Sequence, residues 1–540
     1  MINLDQVKKA SEKYSLLLDK CQEQKIIIGL IVLSLLFRLL TSQFIERSGD
    51  AIHKWGVLRC FTETGNWYPA VIDHHMLRWS INFPVLLIQM IFGTSPLVYY
   101  IFPVLTSIIC GILIYKITAM LSSRTAGIAA FLIFSIFPLT TRESIQFLPM
   151  LPACMFILIA IYFLLKWIDK TKIRYVIFAA MAILGAYGSK ETSLYWAPGI
   201  AVFMLLFNPD HKVWFKIWRF KIGPAIVVFT AIILAGVLIE TAVLNILFHS
   251  TYGRLELVSR THLSFLINKS AYVNFTEWLF SFLRPLSFKG KYFDSMPKNF
   301  ILILGLVSAF LWLFKQKGAI DKKLIAIPLA VAYLLHSYMV NKVFPFLYPE
   351  KNHGRYFLII SVFCIIMYVA SYPQWNQYIW SKIRNLKIRY CCMAAVIALW
   401  LVPTIIQIIN TAIYDGNIFN VAIMERKMKT AASEKDPKPV LYLLDSRLHD
   451  NKLSSYDIKH AKLMMTAFGP ASGIPAIEKK NYLVVTDASD KSLYIALYTE
   501  YPTPAAGQQS VLVIKDFKMV QTKILWSTPN NLSVPLFDQE

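Results

Sequence analysis

Five short stretches in this 540-residue chain carry carboxylates, four of them beside lysine, arginine or histidine. They are Gly49-Asp50, then Asp73-His74-His75-Met76-Leu77-Arg78-Trp79, then Thr141-Arg142-Glu143, Ser189-Lys190-Glu191-Thr192, and Glu350-Lys351-Asn352-His353-Gly354-Arg355-Tyr356. A placed carboxylate takes a proton from an attacking hydroxyl, and arginine and lysine hold an anion such as phosphate. Gly49 suits the end of a helix, but an acid beside a helix C-terminus opposes its dipole, so Asp50 calls for a role of its own. Arg78, just ahead of Asn82-Phe83-Pro84, reads as an anion clamp. His74 and His75 are chain neighbours that do not share a helix face, which argues against one metal taking both. The seven cysteines form no CxxC, no disulfide framework and no zinc-site spacing.

The elements that must position these clusters are apolar. The chain is 56% hydrophobic and 16% charged, against about 25% charged in ordinary soluble domains. Its mean hydropathy of +0.50 excludes a soluble enzyme and a disordered chain. The reading is a polytopic α-helical membrane protein, integral to an inner or plasma membrane. The net charge of +23 falls at alternate ends of apolar runs, which fits membrane orientation and not nucleic-acid binding.

Eleven spans are expected, at 26–45, 97–115, 125–139, 147–165, 175–188, 193–207, 223–248, 299–314, 324–341, 356–372 and 391–409, with room for one or two more in 80–96. The first run is long enough to stay as an anchor and lacks a clear cleavage site. With residues 1–25 inside, the inner connections carry 23 Lys and Arg and the much longer outer ones 16. This places the N-terminus in the cytoplasm, the loops 45–80 and 249–298 outside, and residues 411–540 outside as well. Residues 1–410 would form the transmembrane catalytic domain. Period-two runs at 440–444, 482–485 and 510–514, with a helical stretch near 458–468, make 411–540 a soluble α/β domain.

All five clusters then fall on one side. Ile52, Trp55, Leu58 and Phe61 recur every three residues, with His53, Lys54 and Arg59 between them, as in a helix lying on the outer membrane surface. Lys190 and Glu191 join spans of 14 and 15 residues, about 21–23 Å long and short of a ~30 Å core. Their turn is expected to be recessed, with the two side chains paired together or serving an anionic ligand. Glu240, two turns from the outer end of its span, either lines the same site or snorkels away from it. His53, His74, His75, Arg142, Glu191 and His353 complete the expected substrate site.

The sequence resembles the GT-C glycosyltransferases, of the protein O-mannosyltransferase and lipid A aminoarabinose transferase type. The resemblance rests on Gly49-Asp50, Thr64-Gly65-Asn66-Trp67-Tyr68-Pro69, Asn82-Phe83-Pro84, Phe92-Gly93, Ser189-Lys190-Glu191 and Gly354-Arg355-Tyr356, in order over residues 26–372. It implies inverting transfer of a hexosyl or pentosyl group from a polyprenyl-phosphate sugar to a lipid, glycan or protein acceptor. Asp50 would be the general base, Arg78, Lys190, Arg355 and Tyr356 would hold the lipid phosphate, and no catalytic metal is needed. The family's second acid is missing, with Met150 where an Asp is usual and Glu143 as the nearest substitute. Two alternatives remain open: a flippase of lipid-linked sugars, which broken helices and internal repeats would mark, and a non-catalytic scaffold on the same fold.

Overall fold

The computed structural model describes residues 4–41, 49–64 and 77–207, most of 209–258, then 279–286, 296–314, 320–338 and 357–373, isolated positions as far as 405, and strands within 441–527. The helices are α1 (Leu4–Thr41), α2 (Gly49–Thr64), α3 (Trp79–Phe92), α4 (Pro96–Tyr99), α5 (Ile101–Leu121), α6 (Arg124–Ile136), α7 (Pro138–Glu143), α8 (Met150–Lys170), α9 (Ile173–Ser189), α10 (Trp196–Leu206), α11 (Pro224–Phe248), α12 (Met296–Phe314), α13 (Ile320–Ser337) and α14 (Leu358–Ala370). Among the described residues, Leu97–Leu121, Met150–Lys170 and Pro224–Phe248 are long and apolar enough to cross a membrane. Six further apolar helices, α3 and α6 among them, are shorter. The expected span at 391–409 lies almost wholly outside the described residues.

One face of α8 buries Ala153, Cys154, Ile157, Leu158, Ile161, Leu164 and Leu165 at helical spacing. It packs along α9, whose buried face carries Ala179, Ala180, Ala182, Gly185 and Ala186. Small residues let two backbones approach closely, which is how helices associate where no water drives them together. The core extends through α5, α6, α10, α13 and α14. On α11, by contrast, Leu234, Leu238, Ile239, Val243, Ile246 and Leu247 are all exposed. An apolar surface of that extent is stable against lipid and not against water.

The helices alternate in direction, so that one end of the bundle gathers the starts of α5, α8 and α14 and the ends of α9, α11 and α13. Helices α2 and α3 are tied to that end. The Trp55 ring on α2 lies edge-on to Tyr99, 5.4 Å away, and to Phe147, 6.5 Å away. On α3, Ser80 Oγ sits 2.8 Å from Ser189 Oγ at one end, and Gln89 Nε2 donates to the Trp55 carbonyl near the other. The segment 80–96 therefore runs across this end of the bundle and does not traverse it.

The surface helix expected over residues 52–61 is displaced by one element. Helix α2 forms, but Lys54 and Arg59 are buried along with Trp55, Val57 and Leu58, so it has no solvated polar face among its described side chains. Instead α3 exposes Trp79, Phe83, Leu87, Met90 and Ile91 and turns Ser80, Asn82 and Gln89 inward. That apolar stripe is the one suited to lie against lipid.

Between α10 and α11, β1 (Phe215–Ile217) and β2 (Phe220–Ile222) pair antiparallel. In the C-terminal part, β3 (Leu441–Leu443), β4 (Asn481–Thr486), β5 (Leu493–Tyr498), β6 (Ser510–Lys515) and β7 (Lys518–Ser527) make an antiparallel sheet in the order β3-β5-β4-β7-β6. A register shift interrupts the β4–β7 pairing between Val484 and Val485. The three period-two runs fall in β3, β4 and β6. The helix expected at 458–468 lies outside the described residues.

Candidate active site

The turn from α9 into α10 is the centre of the candidate site. Lys190 caps α9 in extended conformation, and Glu191–Tyr195 form a single 3-10 turn before α10 begins. Lys190 Nζ is 3.0 Å from Glu191 Oε2, with the side chains 14% and 15% exposed, so the expected pairing is made. The pair is not isolated. Arg254, just past α11 and fully buried, places Nη1 3.9 Å from Glu191 Oε1, too long for a hydrogen bond but close enough for attraction. Its Nη2 bonds Glu240 and its guanidinium stacks 4.6 Å above the Tyr187 ring.

Arg254 also donates to two carbonyls, 2.9 Å to Tyr187 and 2.6 Å to Leu77. It thereby ties α9, α11 and the residue before Arg78 together. Glu240 faces this group, because Trp79 Nε1 donates to its carboxylate at 3.0 Å. Glu240 is therefore turned toward this group of charges and does not snorkel away from it. The Trp79 ring lies so close to Gly188 that a Cβ there would fall 2.5 Å from it, so only glycine admits α3 at this spacing.

Arg78 is buried at the start of α3. Burial alone would raise the Glu191 carboxyl, but Lys190, Arg78 and Arg254 overcome it and hold the group far below the usual carboxylate range. Glu191 is thus ionised throughout the physiological range. Among the described residues three cations, Arg78, Lys190 and Arg254, gather about two acids, Glu191 and Glu240. Cations gathered in a recess of an apolar bundle attract an anion strongly.

Glu143 belongs to a second group. It ends α7 and is 1% exposed. The turn is pinned by hydroxyls: Thr140 to the Phe134 and Phe137 carbonyls, Ser144 to the Thr141 carbonyl at 2.8 Å. Arg38 of α1, wholly buried, donates to Ser107 Oγ at 3.0 Å and to Thr141 Oγ1 at 3.3 Å. Close by, Lys54 Nζ sits 5.2 Å over the Phe147 ring.

Asp50, His53 and Arg142 have described backbones only, Asp50 and His53 in the first turn and a half of α2 and Arg142 in α7. His74, His75, His353, Arg355 and Tyr356 lie outside the described residues. The next residue, Phe357, has its ring 6.3 Å from that of His336 near the end of α13. His336 in turn lies edge-on to Tyr195, 5.0 Å away. Among the described residues no group of three His, Cys, Asp or Glu could hold a metal ion.

Sequence reasoning missed Arg254, Arg38 and His336. Arg38 and His336 each interrupt an apolar run, the signal that singled out Glu240. Arg254 gave no such signal, since it stands in a loop with six other basic residues.

Residues 77–241 match the model of a family described as dolichyl-phosphate-mannose-protein mannosyltransferase. The chain resembles the GT-C membrane glycosyltransferases. The matched segment holds Arg78, Glu143, Lys190, Glu191 and Glu240, and leaves out Asp50 and Arg254. No curated protein matches the chain. Among solved structures it is similar to the archaeal oligosaccharyltransferase AglB from Archaeoglobus fulgidus, in complex with an inhibitory peptide and a dolichol-phosphate, at 12% identity over 89% of this chain and 75% of that one, with a TM-score of 0.44. It is also similar to ArnT from Cupriavidus metallidurans, at 9% identity over 88% and 98% with a TM-score of 0.47 in the apo state, and at 11% over 84% and 71% with a TM-score of 0.45 bound to undecaprenyl phosphate.

Proposed function

We propose that this chain is an integral-membrane glycosyltransferase that moves a hexosyl or pentosyl group from a polyprenyl-phosphate donor to a hydroxyl on a lipid, glycan or protein acceptor. The observation that carries the reading is the recessed group of Arg78, Lys190 and Arg254 about Glu191 and Glu240. A lipid phosphate arriving from the bilayer is an anion that such cations hold. During transfer the bond from the sugar C1 to the phosphate oxygen breaks, and negative charge grows on that oxygen. Cations placed there beforehand stabilise the departing phosphate, often the largest single contribution to such a reaction.

Asp50 is the general base. The acceptor oxygen attacks C1 from the face opposite the phosphate, the configuration inverts, and the hydroxyl proton passes to the carboxylate as the C–O bond forms. Glu143 stands in for the second acid. Arg355 and Tyr356 join Arg78 and Lys190 on the phosphate, while His53, His74, His75, Arg142, Glu191 and His353 line the substrate site. No metal enters this scheme. Residues 1–410 form the catalytic domain with the N-terminus in the cytoplasm. An odd number of spans puts 411–540 on the far side, where the domain shapes acceptor access.

The test is turnover. Purified protein, a panel of radiolabelled polyprenyl-phosphate sugars and a membrane extract should yield a covalently labelled acceptor. Label that crosses vesicle membranes without covalent transfer would make the chain a flippase. Binding of polyprenyl phosphate without turnover of any sugar would make it a scaffold.

A further inference from the structure

We infer that His336 is the residue that recognises the donor sugar, by accepting a hydrogen bond from one of its hydroxyls; this rests on the glycosyltransferase reading above. His336 lies in the last turn of α13, which packs against the 3-10 turn that follows Lys190. The side chain is 5% exposed, and Nδ1 is 2.9 Å from the Ala332 carbonyl one turn back. A carbonyl only accepts, so in the neutral ring Nδ1 carries the hydrogen and Nε2 presents a lone pair. Nε2 is buried and has no hydrogen-bond partner among the described residues. A buried acceptor in that position is costly unless something donates to it.

The surroundings say what donates. His336 lies within electrostatic reach of Lys190, and its ring meets Tyr195 edge-on. Thr192 Oγ1 and Ser193 Oγ, on the same 3-10 turn, are likewise buried without partners among the described residues. The charged side chains cluster about Lys190 and Glu191, and these neutral polar atoms follow them in the chain. A sugar phosphate has the same two parts: an anion, and next to it a ring bearing hydroxyls. With the phosphate on Lys190, the sugar extends toward His336.

Asparagine and glutamine separate the two ring nitrogens. His336→Asn keeps a donor near Nδ1 and removes the acceptor at Nε2. His336→Gln puts an amide oxygen near Nε2. The measurement is binding of undecaprenyl phosphate, and of undecaprenyl phosphate carrying mannose, glucose, galactose, arabinose or 4-amino-arabinose, to the purified full chain. Wild type should bind one of the glycosylated lipids more tightly than the bare phosphate. His336→Asn, and His336→Leu as a second loss variant, should erase that gain, about tenfold for one hydrogen bond to a buried acceptor, with affinity for the bare lipid unchanged. His336→Gln should keep most of it. A gain that survives in both loss variants, or no gain for any sugar in wild type, overturns the assignment and leaves the phosphate site standing. Failure of wild type to bind undecaprenyl phosphate at all would instead sink the glycosyltransferase reading.

Discussion

Lys190 and Arg254 carry the same charge in the same cluster, yet the structure gives them opposite duties. Lys190→Ala removes a partly exposed ion pair whose carboxylate keeps Arg254 at 3.9 Å and the field of Arg78. Glu191 keeps those two cations, so folding should lose less than the ~3–5 kcal/mol of leaving a buried charge without its partner. The ligand should notice, because one of the three cations is gone. One hydrogen bond between charged partners is worth about 1.5–3 kcal/mol, roughly 10–150-fold in the Kd for polyprenyl phosphate.

Arg254→Ala acts the other way. It takes the bonds from the Leu77 and Tyr187 carbonyls and leaves Glu240 and Glu191 short of a buried cation. Removing one partner of a buried pair costs about 3–5 kcal/mol. With an unfolding entropy of about 2 cal/mol/K per residue over some 400 residues, that is a fall of about 5 °C in Tm. Thermal melts in detergent and titration with undecaprenyl phosphate, run on both variants, separate the two effects. If Lys190→Ala lowers the Tm as far as Arg254→Ala does while binding the lipid normally, Lys190 is a structural ion-pair partner and the phosphate site is elsewhere.

Asp50→Asn removes proton acceptance but little volume, and should cut transfer by about 10²–10⁴-fold with donor binding retained. Activity within threefold of wild type would pass the role of base to Glu143. Truncation after residue 410 should leave hydrolysis of the donor, or transfer to a small acceptor, in place while weakening transfer to the natural acceptor. A single cysteine placed in 440–540 should label from the exterior alone; labelling only from the cytoplasm would overturn the orientation and the assignments built on it.

The sequence made the helices legible because their signal is one-dimensional. Runs such as 223–248 and 147–165 announce α11 and α8 to within a few residues, since apolar length alone marks them. The surface helix was harder. Trp55 and Leu58 at helical spacing describe an apolar stripe, but a stripe does not say whether lipid or protein covers it. Tyr99 and Phe147 cover Trp55, from the end of α4 and from the turn before α8, about 40 and 90 residues further along the chain. Glu191 was legible as Lys190's partner because the two are adjacent. Arg254 was not, since it meets Glu240 across the last turns of α11 and the turn beyond it, and meets Leu77 from 177 residues away. His336 was missed although it interrupts an apolar run, the same signal that singled out Glu240.

The charge of the cluster has a measurable consequence, and Glu240 is the place to change it. Its carboxylate accepts from Arg254 and from Trp79 Nε1. Glu240→Gln keeps an oxygen able to accept both bonds, so the cluster should hold its shape while its net charge rises by one. At a separation of about 10 Å and an effective dielectric near 20, one unit charge acting on a bound phosphate is worth about 1.7 kcal/mol, roughly 15-fold tighter binding of undecaprenyl phosphate. Tighter binding is not faster transfer. The released lipid phosphate carries more negative charge than the donor, so the added attraction favours product over substrate, and turnover should slow wherever release limits it. Product inhibition by undecaprenyl phosphate should deepen in the same proportion. Salt should weaken binding to the variant little, because the cluster is buried and ions screen it poorly. Undecaprenyl phosphate that binds Glu240→Gln no more tightly than wild type would show that the anion does not sit beside this group of cations.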